Sequence, residues 1–431
     1  MKRLINIVNL IKPIFKEFFF SFTMSHISYL NKCDLNNIKK LSNYSYEKGK
    51  NIIYEYEKLF SSKMGSGKFV SFSSGRISLY VLLKCFKVEN NDEVIIQSSN
   101  CSAVAFAVMM NGAKPIYVDI NPKDFGPSFE DVKRKINSKT KVIVIQHSFG
   151  IPSSSIFQIK NLCKKNNIFL IEDCALTFDS KINGISVGTI GDASFFSTDN
   201  SKPINTIIGG GLYSESPNVI DRALQIRDLA DEFDEFDLKR IYKRFSFETA
   251  YLTPKKYRFF KINLYFKAGL NKLFGFDTAL YQFSTDLGLL NITKVKKMPV
   301  FLAQIGIYEL KNWESKKEII LKNYSKLLHI FEKSNFEIPD SYLNKDLKII
   351  PHRFVVFDNS KNQLNNILKD RVNHELFWFK FPLVACLDPE QYGYVYGSCP
   401  NTEKYNKITV NIPLIYDDKY FDKLTNNFNF N

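Results

Sequence analysis

The chain has 431 residues, 45% of them hydrophobic and 24% charged, so it can bury a large core and is long enough for two subdomains in one compact unit. A formal net charge of +15 suits an anionic partner such as phosphates, a membrane surface or nucleic acid, but no DNA- or RNA-binding signature accompanies it, which sets nucleic acid aside. The seven cysteines include no CxxC pair, and His26, His147, His329, His352 and His374 show no metal-ligand spacing, so neither a disulfide frame nor a metal site is expected and a reducing compartment is.

The chain begins MKRLINIVNLIKPIFKEFFFSF. Asn6, Asn9, Lys12 and Pro13 interrupt its apolar run, and no small-residue cleavage site follows, so neither a secretory signal nor a spanning helix is expected and the location reads as cytoplasmic. Two readings stay open for this segment: an amphipathic stretch making peripheral contact with a membrane, or a helix packed on its own protein or a dimer mate.

From residue 68 short apolar runs alternate with helical stretches. Strands are expected at 68–73, 93–98, 114–120, 141–148, 168–175, 193–198 and 210–214, and helices at 77–86, 102–112 and 155–167. Continuous apolar strands alternating with helices predict an α/β fold, a mostly parallel seven-stranded sheet covered on both faces. A long helix is expected after Pro299, with Ile320, Tyr324, Leu327, Leu328 and Phe331 on one face. Strands at 353–358 and 407–414 then suggest a smaller C-terminal α+β domain. The expected division is an N-terminal helical segment at 1–60, a large domain at 61–230, a basic aromatic insert at 231–295 and a small domain at 296–431. Within the insert, residues 238–272 carry ten Lys or Arg, one Glu and nine aromatics. Such a segment can lie on an anionic membrane, cover an anionic ligand, or form a solvated basic helix with its aromatics turned inward.

Ligands of doubly wound sheets sit beyond the carboxyl ends of the strands, and the chemically interesting residues follow strands here. The run FFSTDNSKPINTIIGGG places Lys202 in a polar turn between an aromatic strand and three glycines. Taken alone it is a solvated loop lysine or a lysine that forms a Schiff base. An aldehyde cofactor with a phosphate and a pyridine ring needs three things: a lysine amine, an acid for the ring nitrogen, and backbone donors for the phosphate. Ser74, Gly75 and Arg76 open a helix and fit the phosphate role. Asp173, after Glu172, ends a strand as the acid would, and Ser197 lies five residues before Lys202. The order strand–SSG–helix, strand–ED, strand–S–x4–K–x6–GGG selects Lys202 as the Schiff-base former.

With these motifs the sequence resembles the DegT/StrS sugar aminotransferases, pyridoxal 5'-phosphate enzymes of fold type I that aminate nucleotide-linked keto sugars. The resemblance spans roughly residues 45–430, with an insert near 225–295. It implies that Ser74, Gly75, Arg76 and Ser197 bind the cofactor phosphate, that Asp173 holds the ring nitrogen, and that Lys202 is the catalytic lysine. HSFGIP from His147 and GSCPNTEKYNKITVNIPL from residue 397 match further family segments. The implied partners are a nucleotide sugar, an amino-acid donor such as glutamate, and a second copy in a homodimer, with cell-surface polysaccharide or amino-sugar synthesis as the common setting. Four positions depart from the family pattern. Leu176 stands for the Gln or His at the ring hydroxyl, Cys101 for the ring-stacking aromatic, Arg76 for Thr, and Val295, with Lys297 nearby, for a partner-subunit asparagine. Two rivals remain: an enzyme of the same cofactor running another reaction, such as dehydration, and a non-catalytic relative serving as a binding or assembly partner in glycan synthesis.

Overall fold

The structure is a computed structural model that describes residues 34–257 and 294–359 throughout, 363–368, 371–373, 382–384, 386, 388–426 and 428 beyond them, and residues 23, 24, 30 and 259. The expectations for residues 1–22 and for 258 and 260–293 of the basic insert lie outside the described residues, as do His26 and His374.

Seven strands form the central sheet: β1 (Lys68–Phe72), β2 (Glu93–Gln97), β3 (Lys114–Val118), β4 (Thr140–Gln146), β5 (Phe169–Asp173), β6 (Ala193–Ser197) and β7 (Gly210–Ser214). Their spatial order is β1-β7-β6-β5-β4-β2-β3. β3, β2, β4, β5 and β6 run parallel, while β7 is antiparallel to both β6 and β1. Helices α1 (Leu35–Leu41), α2 (Lys50–Met64), α3 (Gly75–Cys85), α4 (Ser102–Met110), α5 (Phe129–Lys135), α6 (Ile156–Asn166), α7 (Pro217–Asp228) and α8 (Glu235–Tyr251) precede the gap in the description. After it come α9 (Val300–Lys311), α10 (Trp313–Phe331), α11 (Gln363–Leu368), α12 (Pro400–Ile408) and α13 (Asp418–Thr425), with strands β8 (Arg353–Phe357) and β9 (Thr409–Pro413).

Alternation along the strands explains why each reads as an unbroken apolar run. Val94, Ile96, Val142, Val144 and Ile171 turn to the face covered by α3, α4 and α7. Their neighbours Ile95, Ile143, Ile145 and Leu170 turn to the face covered by α6, where Ile156, Ile159 and Cys163 meet them. Side chains of period two facing two covered layers leave little room for polar residues before the strand ends, and each buried Val, Ile or Leu contributes about 1.5–3 kcal/mol. A third cluster joins Tyr56 and Phe60 of α2, Phe301 and Ile305 of α9, and Phe354 and Val356 of β8.

Two expectations are corrected. The helix after Pro299 is two helices, α9 and α10, divided at Asn312 (φ −101°, ψ 9°). The Asn312 side chain donates to the Tyr308 carbonyl at 2.8 Å, a local bond that competes with continued helix. The run 407–414 is a strand only from Thr409, because 400–408 coil into α12 first. β9 then pairs antiparallel with β8. The start of α12 is tied to the sheet through Asp119, just after β3. Asp119 Oδ2 accepts the Asn401 N–H at 2.9 Å, and Oδ1 accepts the Thr402 N–H at 2.9 Å and its hydroxyl at 3.1 Å.

Candidate active site

Four of the residues singled out in the sequence, Ser74, Gly75, Arg76 and Ser197, converge where α3 begins. Ser74 caps that helix, its Oγ accepting the Ile77 N–H at 3.3 Å. Gly75 lies so close to β6 that a Cβ on it would stand 2.9 Å from Ser197 Cβ, and one on Gly210 would stand 2.3 Å from Gly75 N. The glycines therefore let the helix start, Ser197 and β7 meet backbone to backbone, which leaves the first N–H groups of α3 facing the strand ends. Two buried donors there have no hydrogen-bond partner among the described residues, Ser73 Oγ and Arg76 Nε. The Arg76 guanidinium stands 5.3 Å above the Phe106 ring, and Cys101 and Tyr392 lie within range of its charge. Helix dipole, bare N–H groups, a hydroxyl and a guanidinium make a cradle for a phosphate.

Asp173 ends β5 in full burial, fixed by three donors. Its Oδ2 accepts Gln146 Nε2 at 3.0 Å and Asn100 Nδ2 at 3.4 Å, and its Oδ1 accepts the Ala175 N–H at 3.0 Å. Gln146 also donates to Asn100 Oδ1 at 2.9 Å, so the two amides hold each other as well as the acid. Burial pushes the Asp173 carboxyl up from its ordinary value, against the Ala175 bond, the charge of Lys202 and the two amides. A cation brought against it would satisfy that carboxyl, and a protonated ring nitrogen is such a cation.

Lys202 lies half-buried in the turn after β6, its N–H donating to the Asp199 carbonyl at 3.1 Å. Its charge acts on both Asp173 and Asp199, so the turn brings the lysine to the acid as the motif order requires. Ser197 is half-buried beside them, with its hydroxyl 3.4 Å from Asp199 Oδ2. Cys101 precedes α4, half-buried, its N–H bonded to Asn100 Oδ1 at 2.6 Å. Leu176 is buried in the apolar cluster and offers no polar atom. Val295 packs against the cluster under α3, while the Lys296 carbonyl accepts the Ser73 N–H at 3.2 Å.

Sequence reasoning passed over Asn100, Gln146 and Asp199. A buried amide at the end of an apolar strand, as in KVIVIQ, is the one signal that could have marked Gln146. It also passed over the way His147 and Glu172 brace the floor of the site. His147 Nδ1 accepts the Ser153 N–H at 3.1 Å, which places the ring proton on Nε2, 2.9 Å from Glu172 Oε2. Glu172 further accepts the N–H groups of Gly188, Ile190 and Gly191, each at 2.6 Å. His147, Glu172 and Cys174 have ligand atoms within 4.8 Å of one another, yet both ring nitrogens are already committed to protein partners.

The described part of the basic insert packs on the lysine turn. Glu248 of α8 accepts Asn200 Nδ2 at 3.1 Å and Arg244 Nε at 2.8 Å. Among the described residues no helix is long and apolar enough to cross a membrane.

Comparisons with known proteins agree with this geometry. A model described as the DegT/DnrJ/EryC1/StrS aminotransferase family matches residues 31–244. Over 208 residues the chain is 34% identical to GDP-perosamine synthase of Escherichia coli O157:H7, a stretch that is 48% of this chain and 55% of that one. It is 31% identical over 157 residues to dTDP-4-dehydro-2,3,6-trideoxy-D-glucose 4-aminotransferase of Saccharopolyspora spinosa, covering 36% of this chain and 40% of that one. The chain spans about half the length of the curated relatives it matches. Among solved structures, an aminotransferase from Psychrobacter cryohalolentis has a TM-score of 0.68 at 16% identity, covering 93% of this chain and 97% of that one. The fold is therefore fold type I of the pyridoxal-phosphate transferases.

Proposed function

Because the chain belongs to the DegT/DnrJ/EryC1/StrS aminotransferase family over residues 31–244, we propose that it transfers an amino group to the keto carbon of a nucleotide-linked sugar. In this reading pyridoxal 5'-phosphate is the cofactor, glutamate the donor, and a homodimer the working form. The observation that carries the reading is the placement of Lys202 with the buried Asp173 at the carboxyl ends of the strands, next to the cradle at the start of α3.

The residues present fit the cofactor. Ser73, Ser74, Gly75, Arg76 and Ser197 would hold its phosphate, Asp173 its ring nitrogen, and Lys202 its aldehyde carbon. Once bound, the cofactor supplies an electron sink that makes a carbon–hydrogen bond next to an amine acidic. Lys202 Nζ, when released, is an amine that can accept a proton from substrate and return it. Asp173 Oδ stabilises a positive charge on the ring nitrogen, and Gln146, Asn100 and the Ala175 N–H keep its carboxyl in one orientation. Arg244 of α8, whose charge reaches Asp199, stands beside the same turn and would suit the diphosphate of a nucleotide sugar.

A second reading draws on Leu176 and Cys101: a relative that keeps the fold and serves as a binding or assembly partner in glycan synthesis. One experiment separates the two. The purified protein is mixed with pyridoxal phosphate, reduced with borohydride, and mapped by peptide mass. An adduct on Lys202, followed by glutamate-dependent amination of a keto sugar nucleotide, supports the enzyme. No adduct overturns it in favour of the binding protein.

A further inference from the structure

Glu309 near the end of α9 and Lys316 near the start of α10 form an ion pair at 2.9 Å, and both residues are buried. They are seven residues apart, which on an unbroken helix is about 10.5 Å along the axis. Here they stand on either side of the break at Asn312, and the pair closes across it. Replacing such a pair by apolar side chains of similar volume is often neutral or stabilising, because both charges lose their water on burial. The further bonds of the pair show what it holds.

Both ends reach the turn that carries the lysine. Lys316 Nζ donates to the Pro203 carbonyl at 2.8 Å, and Glu309 Oε2 accepts the Asn205 N–H at 3.5 Å. Pro203 follows Lys202 directly. Its ring fixes its own φ and restricts the residue before it, so anchoring the Pro203 carbonyl also limits where the Lys202 Cα can stand. On the other side of the lysine, Asn200 Nδ2 bonds Glu248 of α8 at 3.1 Å, and the Asn200 N–H bonds the Ile207 carbonyl at 3.1 Å. The Thr206 N–H donates to the Thr198 carbonyl at 2.7 Å and closes the turn between β6 and β7. Lys202 is thus bracketed, by α8 before it and by the Glu309–Lys316 pair after it.

We propose that Glu309 and Lys316 are positioning residues that aim Lys202 at the aldehyde carbon of the cofactor by holding Pro203 and Asn205. This rests on the reading of Lys202 given above. The orientation of the amine is then set in the folded chain before cofactor arrives, where a misplacement of about 1 Å can cost about a hundredfold in rate.

The test compares wild type with Glu309→Leu/Lys316→Met, which removes both charges and both bonds to the turn while keeping apolar volume. The urea midpoint should stay near that of wild type. Pyridoxal phosphate is mixed in by stopped flow over a concentration series, and the point of attachment is mapped by borohydride reduction and peptide mass. The saturating concentration reports the encounter with the cradle at α3. The limiting rate reports addition of the Lys202 amine to the aldehyde, with loss of one water. The double variant should saturate as wild type does, with a limiting rate lower by about tenfold or more. In the cofactor-free chain its Asn205 amide should exchange with solvent about tenfold faster. A limiting rate within about twofold of wild type overturns the proposal, and so does a loss confined to saturation, which would place the effect on the cradle. If circular dichroism shows that the double variant is unfolded, Glu309→Gln/Lys316→Met keeps an acceptor for the Asn205 N–H and is judged by the same limiting rate. Attachment elsewhere than Lys202 in wild type removes the cofactor reading, whereas Asn205 exchange still decides whether the pair holds the turn.

Discussion

Replacing Glu172 by Gln should destabilise the protein by far more than its conservative shape suggests. Glu172 Oε1 accepts the Ile190 and Gly191 N–H groups at 2.6 Å, and Oε2 accepts the Gly188 N–H at 2.6 Å and His147 Nε2–H at 2.9 Å. A glutamine can keep its carbonyl on only one of these pairs. Its NH₂ would then face two donors, and His147 cannot turn acceptor at Nε2 without surrendering Nδ1, which holds the Ser153 N–H. Two buried donors are stranded, at about 1–3 kcal/mol each, so the loss should be about 2–6 kcal/mol. Urea titration followed by far-UV circular dichroism measures it, with His147→Ala in the same background to read the coupling. A loss below about 1 kcal/mol would refute both the assigned tautomer and the claim that Glu172 organises the 188–191 turn.

Asp119→Ala removes the acceptor that starts α12 and should cost about 1–2 kcal/mol, seen as faster hydrogen exchange over residues 400–408. Gly210→Ala drives a methyl to 2.3 Å from Gly75 N, so it should weaken pyridoxal-phosphate uptake by about tenfold or more in an absorbance titration; unaltered uptake would place the phosphate elsewhere. Because the folded Asp173 carboxyl is raised, its contribution is full below the ordinary carboxylate value and is lost as pH rises through the folded value. Cofactor-free Asp173→Asn should therefore lose less stability than wild type as pH rises above the ordinary carboxylate range, read as urea midpoints. Burial pushes the Cys163 thiol up to about 12 and Cys85 to about 11, so a thiol reagent at pH 8 should reach the half-buried Cys101 before Cys163, and pyridoxal phosphate should slow Cys101 labelling.

The seven sheet strands were readable to within a residue or two because both faces are covered, which turns each strand into a continuous apolar run. The nearness of Lys202 to Asp173 was readable because doubly wound sheets gather at one edge the residues that follow their strands. Asn100 and Gln146 were not, since a polar amide carries no pattern until the strands that bear it are set side by side. Asp199 looked like ordinary turn chemistry, and its contacts with Ser197 and Ser201 emerge only once the turn is folded. The Arg244–Glu248 pair fits helical spacing, but nothing in the sequence says that its target is Asn200. The break at Asn312 was hidden because the apolar pattern runs through it and a single side chain–carbonyl bond decides the stop.

The position of β7 has a consequence for how the chain is made. Among the described residues β1 pairs only with β7, so the strand at residues 68–72 meets that neighbour only once residues 210–214 have been synthesised. At ribosomal speeds roughly 140 intervening residues correspond to about 7–30 s during which Phe69 can meet Phe60 and Tyr56 of α2 but not Phe196 of β6. The phosphate cradle follows β1 directly, and Gly75 reaches its place only against Ser197 and Gly210. Under the proposed function, the cradle would be complete for cofactor only after that late strand closes, so the ligand could stabilise the finished sheet but not the growing chain.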